Sequence, residues 1–360
     1  MLLTPVLFNT LVSALTITLP LTHPADVQLK LFFREHQQLG MRDRNFVAET
    51  VYAVLRHRRY IESIITDGNP RRMALVALAR FQGVSVRDLI PILRKGEDTW
   101  LTDLKAHPDG KSPKKQPLGI RAELPDWVIA RLSAFMGEDE ILTFGRSMMS
   151  PAPLDLRVNT VKAKRDAVVQ TLLKEGIVCE ATPYSPIGIR LTEKIVLTKH
   201  PAFLEGFIEV QDEGSQMLGL LMEAKRGEMV ADFCAGAGGK TLLLGAAMAS
   251  LGRVYAFDVS EKRLLNLSPR LKRSGLSNVT PQRIVSENDA KIKRLSKKLD
   301  RVLVDAPCTG LGTLRRNPDL KWRQTEEGLA ELNVKQAAIL ASASRLVKAG
   351  GRLVYATCSP

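Results

Sequence analysis

Cysteine and histidine are scarce in this chain, which has four cysteines and five histidines among its 360 residues. The cysteines, Cys179, Cys234, Cys308 and Cys358, are widely spaced, and no CxxC pair exists. Zinc ligands usually come in such close pairs, so the spacing argues against a metal site. Four cysteines in so long a chain also do not indicate the dense disulfide framework of a small secreted domain. We therefore expect a cytoplasmic protein without metal, in a reducing environment.

Positive charge is absent from the N-terminal stretch, since no Lys or Arg precedes Lys30. A secretory signal peptide begins with a positively charged segment, so the apolar residues 1–23 do not fit one. Polar residues and proline interrupt the stretch before it reaches the length of a transmembrane helix. Leucine recurs at every fourth position, at Leu3, Leu7, Leu11, Leu15 and Leu19. This spacing marks one face of a helix and predicts a packed helix, with no membrane partner.

Acidic residues are outnumbered by basic ones, 38 against 52, which gives a formal net charge of +14. Such a surplus favours a polyanionic partner, either nucleic acid or an anionic membrane, although it also serves solubility. Hydrophobic residues make up 45% of the chain and charged residues 25%, as is typical of globular proteins. The length allows two or three domains that each bury a core.

The pattern of the chain changes along its length. Residues 24–102 carry apolar positions at helical spacing, and Pro, Gly and Lys then dominate an exposed linker at 105–119. The strand LDLRVNT, a helix and the strand IVCEATPYS follow and predict a small mixed module, in which Cys179 is a buried apolar residue. From residue 226, short apolar strands alternate with helices, as in a parallel doubly wound sheet. The predicted segments are a helical domain at 1–104, a linker at 105–125, the small mixed module at 126–225 and the doubly wound domain at 226–360.

A glycine-rich loop, DFCAGAGGKT at 232–241, follows a predicted strand and opens a helix. A P-loop would need glycine where Cys234 stands, and a dinucleotide fingerprint would need glycine where Thr241 stands. The third interpretation is a loop for S-adenosylmethionine (SAM), whose glycines allow the backbone to approach a ligand without phosphates. Asp258, at the end of the next predicted strand, is suited to the ribose hydroxyls.

Other polar residues of this loop have more than one possible role. Asp232 could order the loop or face the ammonium group of the cofactor. Lys240 and Thr241 stand at the start of the helix, a position suited to a carboxylate or an RNA phosphate.

Two cysteines stand at the ends of predicted strands, Cys308 in DAPCTG and Cys358 in ATCS. If the strands that end at Asp305 and Thr357 are neighbours, about 5 Å apart, both thiols reach one cleft. Methylation of cytosine at C5 needs a thiolate that adds to C6, and a second thiol could serve the base or release step. Asp305 could stabilise the adduct near the ring N3. The alternative is that both cysteines are small residues that fill space.

The segments CAGAGGK, DAPCTGLGTLRRNPDLKW and YATCS resemble motifs I, IV and VI of the RsmB/Sun (NOL1/NOP2/Sun) RNA cytosine-5 methyltransferases, over roughly residues 150–360. The resemblance implies an all-α NusB-like N-terminal domain, a small α+β RRM-like module and an α/β Rossmann-like class I SAM methyltransferase domain. It implies that Cys358 is the nucleophile and Cys308 promotes product release, with rRNA as the substrate. It also implies SAM as cofactor, bound by Cys234, Ala235, Gly236, Ala237, Gly238, Gly239, Lys240, Asp258, Asp289 and Asp305.

The chain departs from the family pattern in two places. Ala237 stands where the family usually has proline, and the sequence ends at Pro360, just after Cys358. The family's sheet continues beyond this point, so we expect a methyltransferase domain that is incomplete at its C-terminus. A catalytically impaired RNA-binding protein and a nicotinamide-dependent oxidoreductase are the competing hypotheses, and the failed dinucleotide fingerprint argues against the second.

Basic residues suggest where RNA could bind. One group surrounds Trp322: Arg315, Arg316, Lys321 and Arg323; another lies in the helical region: Arg56, Arg58, Arg59, Arg71 and Arg72. Basic and aromatic residues together suit a flipped base and its phosphates, but either group could equally be a solvated surface. We expect a monomer.

Overall fold

The structure is a computed structural model that describes residues 3–106, 116–193 and 195–359. Part of the predicted linker, residues 107–115, lies outside the described residues. The chain forms two compact units. Unit 1 contains the residues up to Pro151, together with Thr309–Leu329 and Ser359, and unit 2 contains Ala152–Cys308 and Ala330–Cys358.

Unit 1 is helical in the residues that the structure describes. Its helices before Pro151 are α1 (Pro5–Thr18), α2 (Ala25–Glu35), α3 (Met41–Arg56), α4 (Arg58–Ile64), α5 (Pro70–Val76), α6 (Val86–Leu89), α7 (Glu97–Ala106), α8 (Leu118–Ala122), α9 (Asp126–Leu132) and α10 (Glu138–Ser147). A π-helical turn, Ala77–Phe81, continues α5. The helical N-terminal region is therefore confirmed, although α8 lies within the segment predicted as linker.

The first helix shows how the sequence specifies this unit. The Thr4 side chain accepts a hydrogen bond from the Leu7 N–H over 3.2 Å, and Pro5 fills the first helical position, where no N–H is needed. The face predicted from leucine spacing is buried at Leu7 and at Leu11, which has no exposed surface. Burial of a leucine side chain contributes about 1.5–3 kcal/mol, so this face anchors α1 to the core.

Unit 2 begins with an antiparallel sheet. Its elements are β1 (Leu154–Val158), α11 (Arg165–Lys174), β2 (Cys179–Ala181), β3 (Gly188–Leu191), α12 (Pro201–Leu204), β4 (Ile208–Val210) and α13 (Glu213–Leu221). The strand order is β2-β3-β1-β4. Cys179 is buried and packs with the apolar residues of this sheet, as predicted. The small α+β module is confirmed, while the domain boundaries at 126 and 226 stay a prediction.

A five-stranded parallel sheet forms the rest of unit 2. Its elements are β5 (Met229–Asp232), α14 (Gly239–Ala247), β6 (Arg253–Asp258), α15 (Glu261–Ser274), β7 (Val279–Arg283), α16 (Ala290–Lys293), β8 (Leu299–Asp305), α18 (Glu326–Ser344) and β9 (Val347–Ala356). The short helix α17 (Leu320–Arg323), which lies between β8 and α18 in the chain, belongs to unit 1. The strand order is β7-β6-β5-β8-β9. Strands β5 to β7 are added towards one edge of the sheet, and β8 and β9 are added on the other side of β5. Ligands of such sheets bind at the carboxyl ends of the strands beside this switch point, here between β5 and β8.

The pairing of β8 with β9 brings the two predicted cysteine segments to the same edge. The strands are parallel, and Asp305 lies opposite Ala356 in the register. Cys308 follows the end of β8, and Cys358 follows the end of β9. The predicted doubly wound sheet is thus confirmed.

Among the helices that the structure describes, none combines the length and the apolar character that a membrane span requires.

Candidate active site

The glycine loop connects β5 to α14 in a backbone conformation that needs glycine. Gly236 and Gly238 have positive φ angles of 56° and 81°. A Cβ atom on Gly238 would lie 2.1 Å from the Leu267 side chain, whereas a Cβ on Gly236 would meet nothing within 4 Å. Gly238 therefore allows the loop to pack on α15, and Gly236 leaves open space beside the loop.

Asp232 orders the start of this loop. Its Oδ2 accepts a 2.7 Å hydrogen bond from the Thr241 hydroxyl, and its side chain is buried. Burial raises the pKa of Asp232 to about 6, because the charged form loses its hydration. Of the two roles considered for Asp232, the geometry favours the ordering of the loop.

Asp258 holds the other side of the loop. Its Oδ2 accepts a hydrogen bond from the Gly236 N–H at 2.8 Å, and its Oδ1 accepts one from the Ser260 N–H at 2.7 Å. A carboxylate has about four acceptor positions, so this side chain can still accept hydrogen bonds from a ligand.

A cavity of about 470 Å³ lies at the carboxyl ends of β5, β6 and β8 in unit 2. Many of the predicted site residues line it: Cys234, Ala235, Gly236, Ala237, Asp258, Asp305, Cys308 and Cys358. Its volume is within the usual range for small-molecule sites. The cavity also includes side chains that the sequence did not single out, among them Arg263, Glu287 and Lys335.

The two strand-end thiols meet in this cavity. The Sγ atoms of Cys308 and Cys358 are 3.2 Å apart. The hydrogen bond with Cys308, burial and the charge of Asp305 together raise the pKa of Cys358 well above its ordinary value. Cys358 is therefore a thiol at neutral pH in this arrangement, and it must lose a proton before it can act as a nucleophile.

Cys234 lines the same cavity but is a weaker candidate for thiol chemistry. Burial, together with Asp232, Asp258 and Asp305, raises the pKa of Cys234 to about 12. Cys234 is thus a thiol at neutral pH as well, and the 3.2 Å contact between thiols in this cavity joins Cys308 to Cys358 instead.

Lys240 has a partner that the sequence did not reveal. Its Nζ lies 2.7 Å from Asp305 Oδ2, and both residues belong to unit 2. The side chain of Lys240 is 13% exposed and that of Asp305 33% exposed. The ion pair compensates the negative charge of Asp305 beside the two thiols.

Sequence comparisons show the family to which this chain belongs. Residues 219–360 match the family described as 16S rRNA methyltransferase RsmB/F, and residues 124–198 match the ferredoxin-like domain of RsmF/B-like methyltransferases. The chain is 31% identical to the probable ribosomal RNA small subunit methyltransferase B of Synechocystis, an alignment that covers 93% of this chain and 81% of that protein. It belongs to the RsmB/F family of SAM-dependent 16S rRNA methyltransferases.

Two further comparisons define the extent of the similarity. Ribosomal RNA small subunit methyltransferase B of Photorhabdus laumondii is 34% identical over 65% of this chain and 54% of its own length. The chain spans about half the length of several such relatives. The crystal structure of PH0851 is 28% identical, with a TM-score of 0.80 over 100% of this chain and 87% of that one.

Not every residue that the family resemblance implies lies at the cavity. Gly238, Gly239 and Lys240 are not among the lining residues, and neither is Asp289. Asp289 is the N-cap of α16, where it accepts hydrogen bonds from the N–H groups of Lys291 and Val285. These hydrogen bonds lower the pKa of Asp289. A cofactor-binding role for Asp289 stays a prediction.

Gln336 is a further residue that sequence analysis missed. Its Nε2 donates to the carbonyl oxygen of Pro307 at 2.9 Å, and its Oε1 accepts from the Tyr355 hydroxyl at 3.1 Å. Gln336 thus links the loop that carries Cys308 to strand β9. No local motif marks it, because its role depends on how α18 packs across the strands.

Of the basic residues around Trp322, Lys321 is buried and structural, whereas Arg316 is exposed. Lys321 is 1% exposed, and its Nζ donates to the carbonyl oxygens of Arg56 and Glu123 at 2.7 Å each. The Trp322 Nε1–H donates to the Leu55 carbonyl oxygen. All of these residues belong to unit 1. Lys321 is therefore not accessible to an RNA phosphate in this conformation. It is neither an RNA-contacting lysine on the surface nor a solvated one, the two interpretations that the sequence allowed.

The arginines of the helical region are also largely engaged. Arg58 pairs with Glu62, Arg71 with Glu97 and Arg72 with Asp67, and Arg59 pairs with Asp126. Arg56 is 9% exposed. Their clustering in sequence mostly reflects helix packing and surface ion pairs within unit 1.

Proposed function

We propose that this chain methylates C5 of a cytosine in 16S rRNA, with SAM as the methyl donor. The observation that carries the proposal is the 3.2 Å separation of the Cys308 and Cys358 sulfur atoms in a cavity lined by the glycine loop and Asp258. Membership of the RsmB/F family supports the substrate class. The net charge of +14 supports a polyanionic partner, and we retain the monomeric, cytoplasmic state as a prediction.

The cavity fits the cofactor. Gly236 leaves open space in front of the loop, and Asp258 keeps acceptor positions for the ribose hydroxyls. Residues Cys234–Ala237 offer backbone close to the ligand, with Asp258 and Asp305 at the cavity wall. When bound there, SAM supplies an electrophilic methyl group.

Cys358 is the proposed nucleophile. In the first step the S–H proton of Cys358 passes to solvent. The thiolate then forms a bond to C6 of the ring, and the C5=C6 electron pair becomes available for attack from C5. The raised pKa of Cys358 means that this step requires the Cys308 hydrogen bond to rearrange or the proton to be removed as RNA binds.

Asp305 and Lys240 are the proposed stabilisers of the adduct. Asp305 lines the cavity beside both thiols, and the Lys240 ammonium is hydrogen-bonded to it. The pair can accept a hydrogen bond from the ring at Asp305 while Lys240 compensates the charge. Without Lys240, the negative charge of the Asp305 carboxylate would repel a thiolate in the same cavity and so disfavour its formation.

Cys308 is the proposed release residue. After methyl transfer a solvent base takes the C5 proton, and the electron pair of the C5–H bond re-forms the C5=C6 double bond. The C6–S bond breaks, and its electron pair returns to Cys358 as thiolate. Cys308 lies beside that sulfur and can hydrogen-bond to it or exchange a proton with it. Its position matches the step in which Cys358 is expelled.

The direct test uses small-subunit rRNA labelled with tritium at cytosine C5. Release of tritium that depends on SAM and protein is expected, because the C5 proton is lost once per methyl transfer. SAM binding measured in parallel by calorimetry separates catalysis from cofactor affinity. SAM and RNA binding without tritium release would indicate the catalytically impaired alternative, and binding of neither would overturn the assignment.

A further inference from the structure

Unit 1 contains a second cavity, of about 420 Å³. All of its lining residues belong to unit 1, so it is separate from the thiol-containing cavity. It is bounded by the π-helical turn after α5, by α4, by α8 and by the C-terminal part of α10. The volume is enough for a small organic group such as a nucleobase.

Aromatic rings form one wall of this cavity. The His57 and Phe81 rings stack with centroids 3.7 Å apart and planes within 3° of parallel. Tyr60 meets Phe81 edge-on, at 5.5 Å and 80°. Burial and the nearby charges of Lys321, Arg56 and Arg80 lower the pKa of His57 to about 3, so its ring is neutral at physiological pH. Neutral aromatic and heteroaromatic rings are the surfaces on which unpaired RNA bases stack.

Guanidinium groups surround the same cavity. Arg80, Arg121 and Arg146 line it, and Arg121 is paired with Glu138. The side chains of Arg80 and Arg146 are exposed, and neither makes an ion pair or a hydrogen bond within the described ranges. These two cations have no ion-pair partner among the described residues and lie next to an aromatic wall, which suits a ligand that is both flat and anionic.

The carboxyl group in the cavity does not cancel this positive charge. Glu123 accepts hydrogen bonds from the Arg59 and Tyr60 N–H groups, and buried Lys321 lies 4.0 Å from it. Burial raises the pKa of Glu123 to about 7, and the buried Lys321 ammonium compensates the charge that Glu123 still carries near neutral pH. The field at the cavity mouth is therefore set by the exposed arginines.

We propose that this cavity binds one unpaired nucleotide of the RNA, with its base on the His57, Phe81 and Tyr60 rings and its phosphates at Arg80 and Arg146. This inference rests on the proposed function, because it takes RNA as the substrate. The cavity would hold the RNA at a site other than the reacting cytosine, so it should contribute to RNA affinity and not to the chemical step.

The test compares two double variants, Arg80→Ala/Arg146→Ala and the control Arg42→Ala/Arg87→Ala. Arg42 and Arg87 are also exposed, without an ion pair in the described residues, and lie outside the cavity. Both variants lose two positive charges. Affinity for a small-subunit rRNA fragment is measured by fluorescence anisotropy at several salt concentrations, and methylation kinetics are measured at saturating SAM.

For the cavity variant we expect RNA affinity to fall about tenfold, with the salt dependence of log K reduced by about 1.4, as for two lost single-strand phosphate contacts. KM for RNA should rise while kcat stays unchanged, and the control should stay within about twofold. Photo-crosslinking of 5-iodouridine-substituted RNA to the wild-type chain should map to peptides that contain Tyr60 or Phe81.

Other outcomes would overturn the inference in distinguishable ways. Equal RNA affinity in the two double variants, or crosslinks only outside the aromatic wall, would refute the cavity site while leaving methylation intact. If the wild-type chain binds RNA without methylating it, the proposed function fails, and the RNA affinities of the two double variants still decide whether the cavity binds RNA. A wild-type chain that binds no RNA would refute both the cavity site and the proposed function.

Discussion

The backbone N–H of Cys358 donates a hydrogen bond to Cys308 Sγ over 3.3 Å. The two cysteines are thus joined through the main chain as well as through their side chains, which are 3.2 Å apart. This contact depends on the parallel pairing of β8 and β9, which ends with Asp305 opposite Ala356. The proton balance between the two sulfur atoms is therefore a property of the pair, and the predictions below begin from it.

Trapping of the RNA adduct should distinguish the two thiols. Cys308→Ala is expected to accumulate a covalent protein–RNA complex on a denaturing gel, because the adduct forms at Cys358 but is released slowly. Cys358→Ala should form none. Cys179→Ala, in the antiparallel sheet, is the control and should behave as wild type. A complex with Cys358→Ala and none with Cys308→Ala would exchange the proposed roles.

The pH dependence of Cys358 should change when its neighbour is removed. The hydrogen bond with Cys308 is the main cause of the raised pKa of Cys358, so the thiolate is present only at alkaline pH in the wild type. In Cys308→Ala the pKa of Cys358 should fall, and its alkylation by iodoacetamide should begin at lower pH. Mass spectrometry of the Cys358 peptide across pH gives the profile. An unchanged profile would show that Cys308 does not control this proton.

Replacement of Lys240 should affect the chemistry more than cofactor binding. Lys240→Met removes the charge that compensates Asp305, so we expect kcat to fall about 10²-fold, in the range of positioned acid–base groups. The affinity for SAM should change only slightly, since Lys240 does not line the cavity. Lys240→Arg keeps the charge and should retain more activity. A loss confined to SAM affinity would instead assign Lys240 to the cofactor.

Lys321 should stabilise unit 1 rather than bind RNA. Its ammonium is buried and donates to the Arg56 and Glu123 carbonyl oxygens, with the Glu123 carboxyl group 4.0 Å away. Lys321→Ala should lower the free energy of unfolding by about 3–5 kcal/mol, as when one partner of a buried charge pair is removed. Urea denaturation measures this loss, with exposed Lys95→Ala as a control that should change stability by less than about 0.5 kcal/mol. Unchanged stability with weaker RNA binding would contradict this role.

Asp232 should make stability depend on pH. Its pKa in the folded state is raised to about 6, above the unfolded value, so the folded chain holds this proton more tightly. The resulting stabilisation is fully present below about pH 4 and is lost as pH rises through 6. The Asp232→Asn variant has no carboxyl group to ionise, and its amide oxygen can still accept the hydrogen bond from the Thr241 hydroxyl. Its free energy of unfolding at pH 7 should therefore exceed that of the wild type by about 1–3 kcal/mol.

The comparison of Asp232→Asn with wild type across pH 4 to 8 measures this effect by thermal or urea unfolding. The difference in stability should disappear near pH 4. SAM affinity should be unchanged, because Asp232 orders the loop from behind the cavity wall. A large loss of SAM affinity would instead favour the other role considered for Asp232, in which it faces the cofactor.

Much of the fold was predictable because it depends on local periodicity. Leucine spacing identified the buried face of α1, and the alternation of short apolar strands with helices identified the parallel sheet. Parallel order then implied that the segments at the predicted strand ends, Asp305 and Thr357, would meet. The pairing of Cys308 with Cys358 was thus foreseen from sequence, even though 50 residues separate them.

The partners of single polar side chains were not predictable in this way. The ion pair of Lys240 with Asp305 was not foreseen, and Lys321 was placed on a surface but is buried. Gln336 carried no signal at all. In each case the partner comes from a distant part of the chain, and several partners would satisfy the same local pattern.

The amino-acid sequence by itself determined the helix and strand content, the parallel order of the second sheet and the convergence of two thiols on a glycine loop. It could do so because apolar spacing and the turn requirements of glycine act over a few residues. Only the tertiary structure decided which charges neutralise each other, that the two thiols share one proton balance, and where exposed arginines meet an aromatic wall. Those outcomes depend on burial and on distances between segments, which no local pattern encodes.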